Sequence, residues 1–162
     1  MIPAYLSNLQ LAHVFTSYTN AVDQFILEST ADEYIVDSET QKISGFVTAT
    51  FGQAEKAAQK HFFVSNPTQR PYALLQIDNG IIQSSDTKKC DCAIANDASL
   101  CLIELKANAY SSKLPTIAKN YKKAIEQLIT IIGFFDAYHK SKGVDFRTLK
   151  AIEAYICFRQ ES

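Results

Sequence analysis

Three charged side chains interrupt an otherwise apolar stretch near the middle of the chain. The segment KKCDCAIANDASLCLIELKAN, residues 88–108, contains Asp91, Glu104 and Lys106 within what reads as two strands joined by the turn NDAS. Burying a charge in a sheet is costly unless the charge is paired or binds a metal. Two carboxylates can hold a divalent cation, and a lysine beside it can orient an attacking water. The segment therefore predicts either a metal-dependent hydrolytic site or a structural ion pair.

The spacing of the three residues predicts a shared face if the two strands form an antiparallel hairpin. With a four-residue turn at 96–99, Asp91 lies directly opposite Glu104. Opposed residues have Cβ atoms about 4.5–5.5 Å apart, and Lys106 shares the face of Glu104 because side chains alternate along a strand. Two carboxylates this close need a cation between them or a shared proton. The opposite face is expected to be apolar and to hold Cys90, Cys92, Ile94, Cys101, Ile103 and Leu105.

Apolar periodicity along the rest of the chain predicts helices that cover a mixed β-sheet. The predicted elements are a helix over 4–29, hairpin strands at 34–37 and 45–50, a helix over 51–62, strands at 71–78, 88–95 and 100–107, a long helix over 115–138 and a last strand at 149–158. Residues 51–158 form the predicted core, with residues 1–50 as an N-terminal helix and hairpin added to it. We expect residues 1–162 to form a single α/β domain of the layered α+β type.

The long predicted helix has an apolar side and a basic side. Its expected buried stripe is Ile117, Tyr121, Ala124, Ile125, Leu128, Ile131, Ile132 and Phe135. Lys119, Lys122 and Lys123 lie on the other side, and Lys113 precedes the helix. Residues 106–162 carry 10 Lys and Arg against 5 Asp and Glu, whereas the preceding residues carry 6 against 12. These lysines are candidates for contacts with nucleic-acid phosphates, although a solvated helix face explains them equally well.

The three residues and the order of elements together resemble the signature of the PD-(D/E)XK nuclease superfamily, which has the restriction-endonuclease-like fold. The resemblance rests on CD, twelve intervening residues and ELK, and on the order αβββαβ from Phe51 to Phe158. It implies that Asp91 and Glu104 bind Mg²⁺ or Mn²⁺ and that Lys106 positions the attacking water. The main-chain carbonyl of Leu105 would complete the metal site.

The resemblance also suggests further site residues and a function. Glu55 is the candidate for an additional acidic ligand, with Asp78 as an alternative, and Gln127 corresponds to a glutamine that some members place near the lysine. Cys90 stands where the motif has proline. The implied activity is metal-dependent hydrolysis of phosphodiester bonds in nucleic acid, with DNA favoured over RNA. A homodimer is expected, because a small nuclease cuts a duplex most easily with two sites.

Two alternatives stay open beside the nuclease hypothesis. The chain could be a binding or assembly protein that keeps the nuclease fold without catalysis, since fold alone does not fix function. The charged residues could instead lie on an exposed sheet edge, where Glu104 and Lys106 would form a weak surface ion pair.

Other motifs narrow the function classes and the cellular setting. The sequence shows no P-loop, no dinucleotide-binding fingerprint and no nucleophile elbow. The four cysteines have no accompanying histidine that would complete a zinc set, so they are expected to be buried thiols. We see neither a signal peptide nor a membrane-spanning run, and therefore expect a cytoplasmic protein that does not bind membranes.

Overall fold

The computed structural model describes residues 1–38, 40–47, 61–106 and 114–158, with His61, Lys106 and Phe158 described by their backbone alone. The strands are β1 (Ile26–Ser29), β2 (Glu33–Asp37), β3 (Ser44–Phe46), β4 (His61–Val64), β5 (Tyr72–Gln76), β6 (Cys92–Ala95), β7 (Ser99–Lys106) and β8 (Ala151–Phe158). The α-helices are α1 (Leu11–Val14) and α2 (Leu114–Ser141). None of the described helices is long and apolar enough to cross a membrane.

The strands form two sheets, and the larger one carries the predicted hairpin. Its order is β1-β5-β6-β7-β8, with antiparallel pairing throughout except between β7 and β8, which are parallel. A parallel pair needs a crossover connection, and α2 lies in that connection. Strands β2, β3 and β4 form a separate antiparallel sheet. The predicted layered α+β fold with a mixed sheet is therefore confirmed.

The hairpin of β6 and β7 has the register that the sequence predicts. Ala95 is opposite Leu100, and the pairing continues in step toward the other end of the strands. The turn is held by Asn96, whose Oδ1 accepts the backbone N–H groups of Ala98 and Ser99 at 2.8 Å each. Such an Asx turn fixes the loop length, and a fixed loop length fixes which residues face one another.

Both faces of the hairpin are buried. On one face the sheet packs against α2 and the N-terminal segment, in a cluster that includes Leu6, Leu9, Phe15, Cys90, Ala93, Ala95, Leu100, Leu102, Leu128, Ile131 and Phe135. On the other face Cys92, Ile103 and Leu105 pack with Leu74, Tyr72, Ile35 and Phe46. The predicted apolar face is thus correct except for Cys90, which lies in the cluster with α2. Helix α2 covers the face that carries Asp91 and Glu104, so these two carboxylates are buried as well.

The continuous helix predicted over residues 4–29 is wrong. The chain instead forms a 3₁₀ turn at Ala4–Leu9, the short helix α1, a second 3₁₀ turn at Val22–Phe25 and then β1, which joins the central sheet beside β5. Gln10 separates the first two turns with a left-handed φ of 55°, a conformation that no helix interior adopts. Leu11, Phe15 and Val22 are nevertheless buried and lie four and seven residues apart, which is why periodicity predicted one helix.

The predicted helix over 51–62 lies outside the described residues as far as residue 60, and its end is wrong. Residues 61 and 62 belong to β4, where Phe62 pairs with Ile35 of β2. The sequence HFFV is rich in residues that favour strands. The predicted N-terminal hairpin is present as β2 and β3, although residues 48–50 of its second strand lie outside the described part.

Helix α2 buries a narrower stripe than its periodicity predicts. Ala124, Leu128, Ile131 and Phe135 are buried, whereas Tyr121 and Ile125 are 44% and 46% exposed. The prediction of burial was wrong for these two residues, because α2 lies over one face of the sheet near its β8 edge and no described element covers its outer side.

Candidate metal centre

Asp91 is held immediately before β6 by the end of β5. Its main-chain carbonyl accepts the N–H groups of Ile77 and Asp78 at 3.2 and 3.1 Å. The turn that follows requires glycine, because a Cβ on Gly80 would lie 2.2 Å from the carbonyl oxygen of Gln76. The Asn-Gly pair that marks this turn in the sequence therefore directly follows the two residues that donate to the carbonyl of Asp91.

The carboxyl groups of Asp91 and Glu104 lie together in the interior. Asp91 is 6% exposed and Glu104 is 1% exposed, and the two side chains are close enough for Glu104 to raise the pKa of Asp91. Oδ2 of Asp91 also accepts the backbone N–H of Leu105 at 2.7 Å. The hairpin thus brings the two predicted metal ligands together. Their burial contradicts the alternative of an exposed sheet edge with a surface ion pair.

The surroundings of Asp91 disfavour its ionised form. Burial raises its pKa well above the ordinary value, and the hydrogen bond and negative charge of Glu104 raise it further. The negative charge of Asp78 acts in the same direction, whereas the N–H of Leu105 lowers the pKa. Two carboxyl groups so placed retain a proton between them more readily than isolated carboxylates do. A bound cation would relieve the same repulsion.

The donor atoms at this position fit a hard divalent cation. Magnesium is commonly bound by one or two carboxylates and keeps several waters, so Asp91 and Glu104 suffice as side-chain ligands. The N–H and C=O of one strand residue point to the same edge. The carbonyl of Leu105 therefore faces the side on which its N–H contacts Asp91. Within the described ranges, no group of three or more His, Cys, Asp or Glu side chains is placed to hold a metal.

A second charged pair lies beside the carboxyl groups. Nζ of Lys89 is 3.6 Å from Oδ1 of Asp78, and the Lys89 side chain is only 11% exposed. Asp78, the alternative acidic ligand, is therefore near Asp91, whereas Glu55 lies outside the described residues. The sequence reasoning missed Lys89. The sequence offered only one indication of its importance, which is that Lys89 lies two residues before Asp91.

The remaining predicted residues are placed only in part. Lys106 ends β7, two residues after Glu104, and its side chain lies outside the described part, as does the whole of Lys113. Gln127 of α2 donates from Nε2 to the main-chain oxygen of Lys89 at 3.1 Å. This contact fixes α2 against the segment leading to Asp91. The predicted position of Gln127 near Lys106 stays a prediction, because the Lys106 side chain lies outside the described part.

The basic side of α2 faces solvent next to this contact. Lys119, Lys122 and Lys123 are exposed and precede Gln127 by at most eight residues, or about 12 Å along the helix axis. Lys88 adds a positive charge to the same side through its 2.8 Å ion pair with Glu126. The exposed lysines thus lie on the helix that contacts the segment leading to Asp91.

Comparison with family models, with curated proteins and with solved structures finds no significant match to this chain. The likeness to the nuclease superfamily therefore depends on the residues and geometry of the chain itself, and the roles assigned to Asp91, Glu104 and Lys106 remain predictions.

Proposed function

We propose that this chain is a metal-dependent phosphodiesterase that acts on nucleic acid, with Asp91 and Glu104 as ligands of Mg²⁺ or Mn²⁺. The observation that carries the proposal is the burial of these two carboxyl groups close together, one just before β6 and the other in β7. A structural role alone gives little reason to bury two acids against each other, since each raises the cost of ionising the other.

The side chains of the site would divide the work as follows. When bound, a divalent ion lowers the pKa of a ligated water and neutralises charge that develops on the phosphate. The Leu105 N–H fixes one oxygen of Asp91, so the carboxyl group is oriented before any ligand arrives. Lys106 would orient the attacking water from the end of β7. The contact between Gln127 and the Lys89 carbonyl would keep the basic side of α2 at a constant distance from the carboxyl pair.

We favour DNA over RNA as the proposed substrate. Its phosphate backbone would be bound by Lys119, Lys122 and Lys123, with Lys113 as a further candidate. The exposure of the three described lysines supports this part of the proposal. We propose that the protein works in the cytoplasm as a homodimer. The four free cysteines, two of them fully buried, agree with a compartment that keeps thiols reduced.

A cleavage assay tests the proposal directly. Single- and double-stranded DNA and RNA are incubated with Mg²⁺, with Mn²⁺ or with EDTA, and wild type is compared with Asp91→Asn and Lys106→Ala. We expect metal-dependent cutting that both variants lose. Asp86→Asn and Lys142→Ala, which change exposed residues, serve as matched controls and should cut normally. Cutting by Asp91→Asn at the wild-type rate would contradict the proposal.

The second candidate function, a binding or assembly protein with the same fold, is favoured by one observation. Glu104 raises the pKa of Asp91, so the two carboxyl groups can share a proton in place of a metal. In that case Mn²⁺ should not change the melting temperature, whereas a functional metal site gains stability by mass action, about 2.7 kcal/mol at a hundred times the dissociation constant.

A further inference from the structure

Strand β8 forms one edge of the central sheet. In the strand order found for the described residues, it has β7 on one side and no strand on the other. It is eight residues long, and Ala151, Glu153, Ala154 and Tyr155 along it are exposed. A long edge strand that presents unpaired backbone groups is a template for pairing with another chain.

A row of apolar side chains on α2 runs beside this edge. Tyr121, Ile125 and Ile129 follow one another at intervals of four residues and are 44%, 46% and 60% exposed. Residues four apart lie on one face of a helix, so the three form a continuous stripe. A solvated helix face normally carries polar residues there, and this stripe is therefore suited to contact another surface.

A groove joins the helix stripe to the edge strand. It has a volume of about 1010 Å³ and is lined by Ile129 and Ile132 of α2, by Val144 of the following loop and by Ile152 of β8. Ile129 belongs both to the stripe and to the groove. The apolar surface is therefore continuous from Tyr121 along α2 to the edge strand.

The charged residues that border the groove are balanced in sign. Asp136 and Lys140 come from α2, and Asp145 and Arg147 from the loop that leads to β8. Asp145 and Arg147 form an ion pair at 2.9 Å. A strongly basic or acidic partner gains little from such a border. A partner with the same mixture of charges can place opposite charges against it, and a second copy of this chain, with a net charge of only −1, has that mixture.

The dimensions of the surface are adequate for a small dimer. Eight strand residues span about 27 Å. The surface is about 20 Å wide, because the helix with its side chains measures about 10 Å across and the sheet layer adds about 10 Å. Two copies would then bury about 1,100 Å², slightly above the roughly 1,000 Å² expected of a biological interface. Interfaces below about 1,200 Å² are typical of weak or transient association, so the fraction of dimer should depend on concentration.

We propose that this surface is the interface between two copies of the chain. The two β8 strands would pair antiparallel about a two-fold axis, so that the central sheets become one continuous sheet. On the face covered by the helices, the α2 stripe of each copy would then contact that of its partner. A two-fold interface is self-complementary, which agrees with the balanced charges. The inference does not depend on the chemistry of the carboxyl pair, so this test and the cleavage assay can fail separately.

Sedimentation equilibrium of the whole chain, from low micromolar to several hundred micromolar, tests the inference. The average mass of wild type should rise with concentration toward twice the monomer mass of 18.1 kDa. Ile129→Glu should raise the dissociation constant by about a hundredfold or more, because a two-fold interface carries the new charge twice. Gln24→Glu adds the same charge at an exposed position just before β1, at the opposite edge of the sheet, and it should behave as wild type.

Three results would overturn the inference. Wild type could stay monomeric over the whole range, which would leave the surface to a different partner. Ile129→Glu could dimerise as well as wild type, or Gln24→Glu could lose dimerisation to the same extent. Because Ile129 is 60% exposed, its replacement should leave the fold intact, and an unchanged circular dichroism spectrum verifies this.

Discussion

Replacing Asp91 with asparagine should make the folded chain more stable at neutral pH when no divalent metal is present. Folding raises the pKa of Asp91 through burial and through the neighbouring Glu104. An acid with a raised pKa binds its proton more tightly in the folded than in the unfolded chain. Wild type therefore loses stability as the pH rises from the unfolded pKa, about 3.9, through the folded one. The variant has no such proton to lose.

The size of the effect follows from the closeness of the two carboxyl groups. Two unit charges about 4 Å apart repel by about 4 kcal/mol at an effective dielectric constant of about 20. The pair avoids part of this cost by retaining its proton, and the asparagine amide can donate to Glu104 while its oxygen still accepts the N–H of Leu105. We expect a net gain of about 1–3 kcal/mol at pH 8. At about 2–4 °C per kcal/mol for a chain of this size, the melting temperature should rise by about 2–12 °C.

The assay is thermal unfolding in EDTA between pH 4 and pH 9, with Asp86→Asn as a control at an exposed position. The difference between Asp91→Asn and wild type should be small at pH 4, grow as the pH rises and level off above the folded pKa. The control should follow wild type. A variant that melts at or below wild type at every pH would refute the reasoning, as would a difference that does not change with pH.

Three further outcomes follow from other described contacts. Gly80→Ala should lower the unfolding free energy by about 1–3 kcal/mol, because the new Cβ would meet a carbonyl oxygen at 2.2 Å; urea unfolding at the wild-type midpoint would contradict this. Lys150→Met should cost a similar amount, since the buried ammonium donates to two main-chain oxygens at 2.9 and 3.1 Å, and an unchanged urea midpoint would show those bonds to be dispensable. Cys101 and Cys157, whose pKa values burial raises to about 12 and about 11, should react with a thiol reagent at pH 8 far more slowly than free cysteine; equal rates would show that both thiols are accessible and ionised.

The hairpin could be predicted from the sequence because local rules determine it. Side chains alternate along β6 and β7, and Asn96 closes a turn of fixed length. These two facts set the register, and the register places Asp91 opposite Glu104. The long helix α2 was equally accessible, since its apolar periodicity extends over many turns.

The features that the sequence did not reveal depend on neighbours distant in the chain. Periodicity showed that α2 has an apolar side, but it could not show how much of that side packs against the sheet. Tyr121 and Ile125 were therefore expected to be buried. Apolar periodicity also could not distinguish one continuous helix from the separate short helical turns that precede β1. The burial of Glu104 arises because α2 covers one face of the hairpin and the second sheet covers the other, and only the assembled layers show this.

Calorimetric titration with Mn²⁺ tests most directly the claim that Asp91 and Glu104 form one cation site. Wild type should bind the metal with a measurable heat, and Asp91→Asn should lose that binding while Asp86→Asn keeps it. Metal binding should also release a proton, because the shared proton must leave the carboxyl pair, and the measured heat should therefore depend on the ionisation enthalpy of the buffer. No binding by folded wild type at millimolar Mn²⁺, or equal binding by Asp91→Asn, would contradict the account.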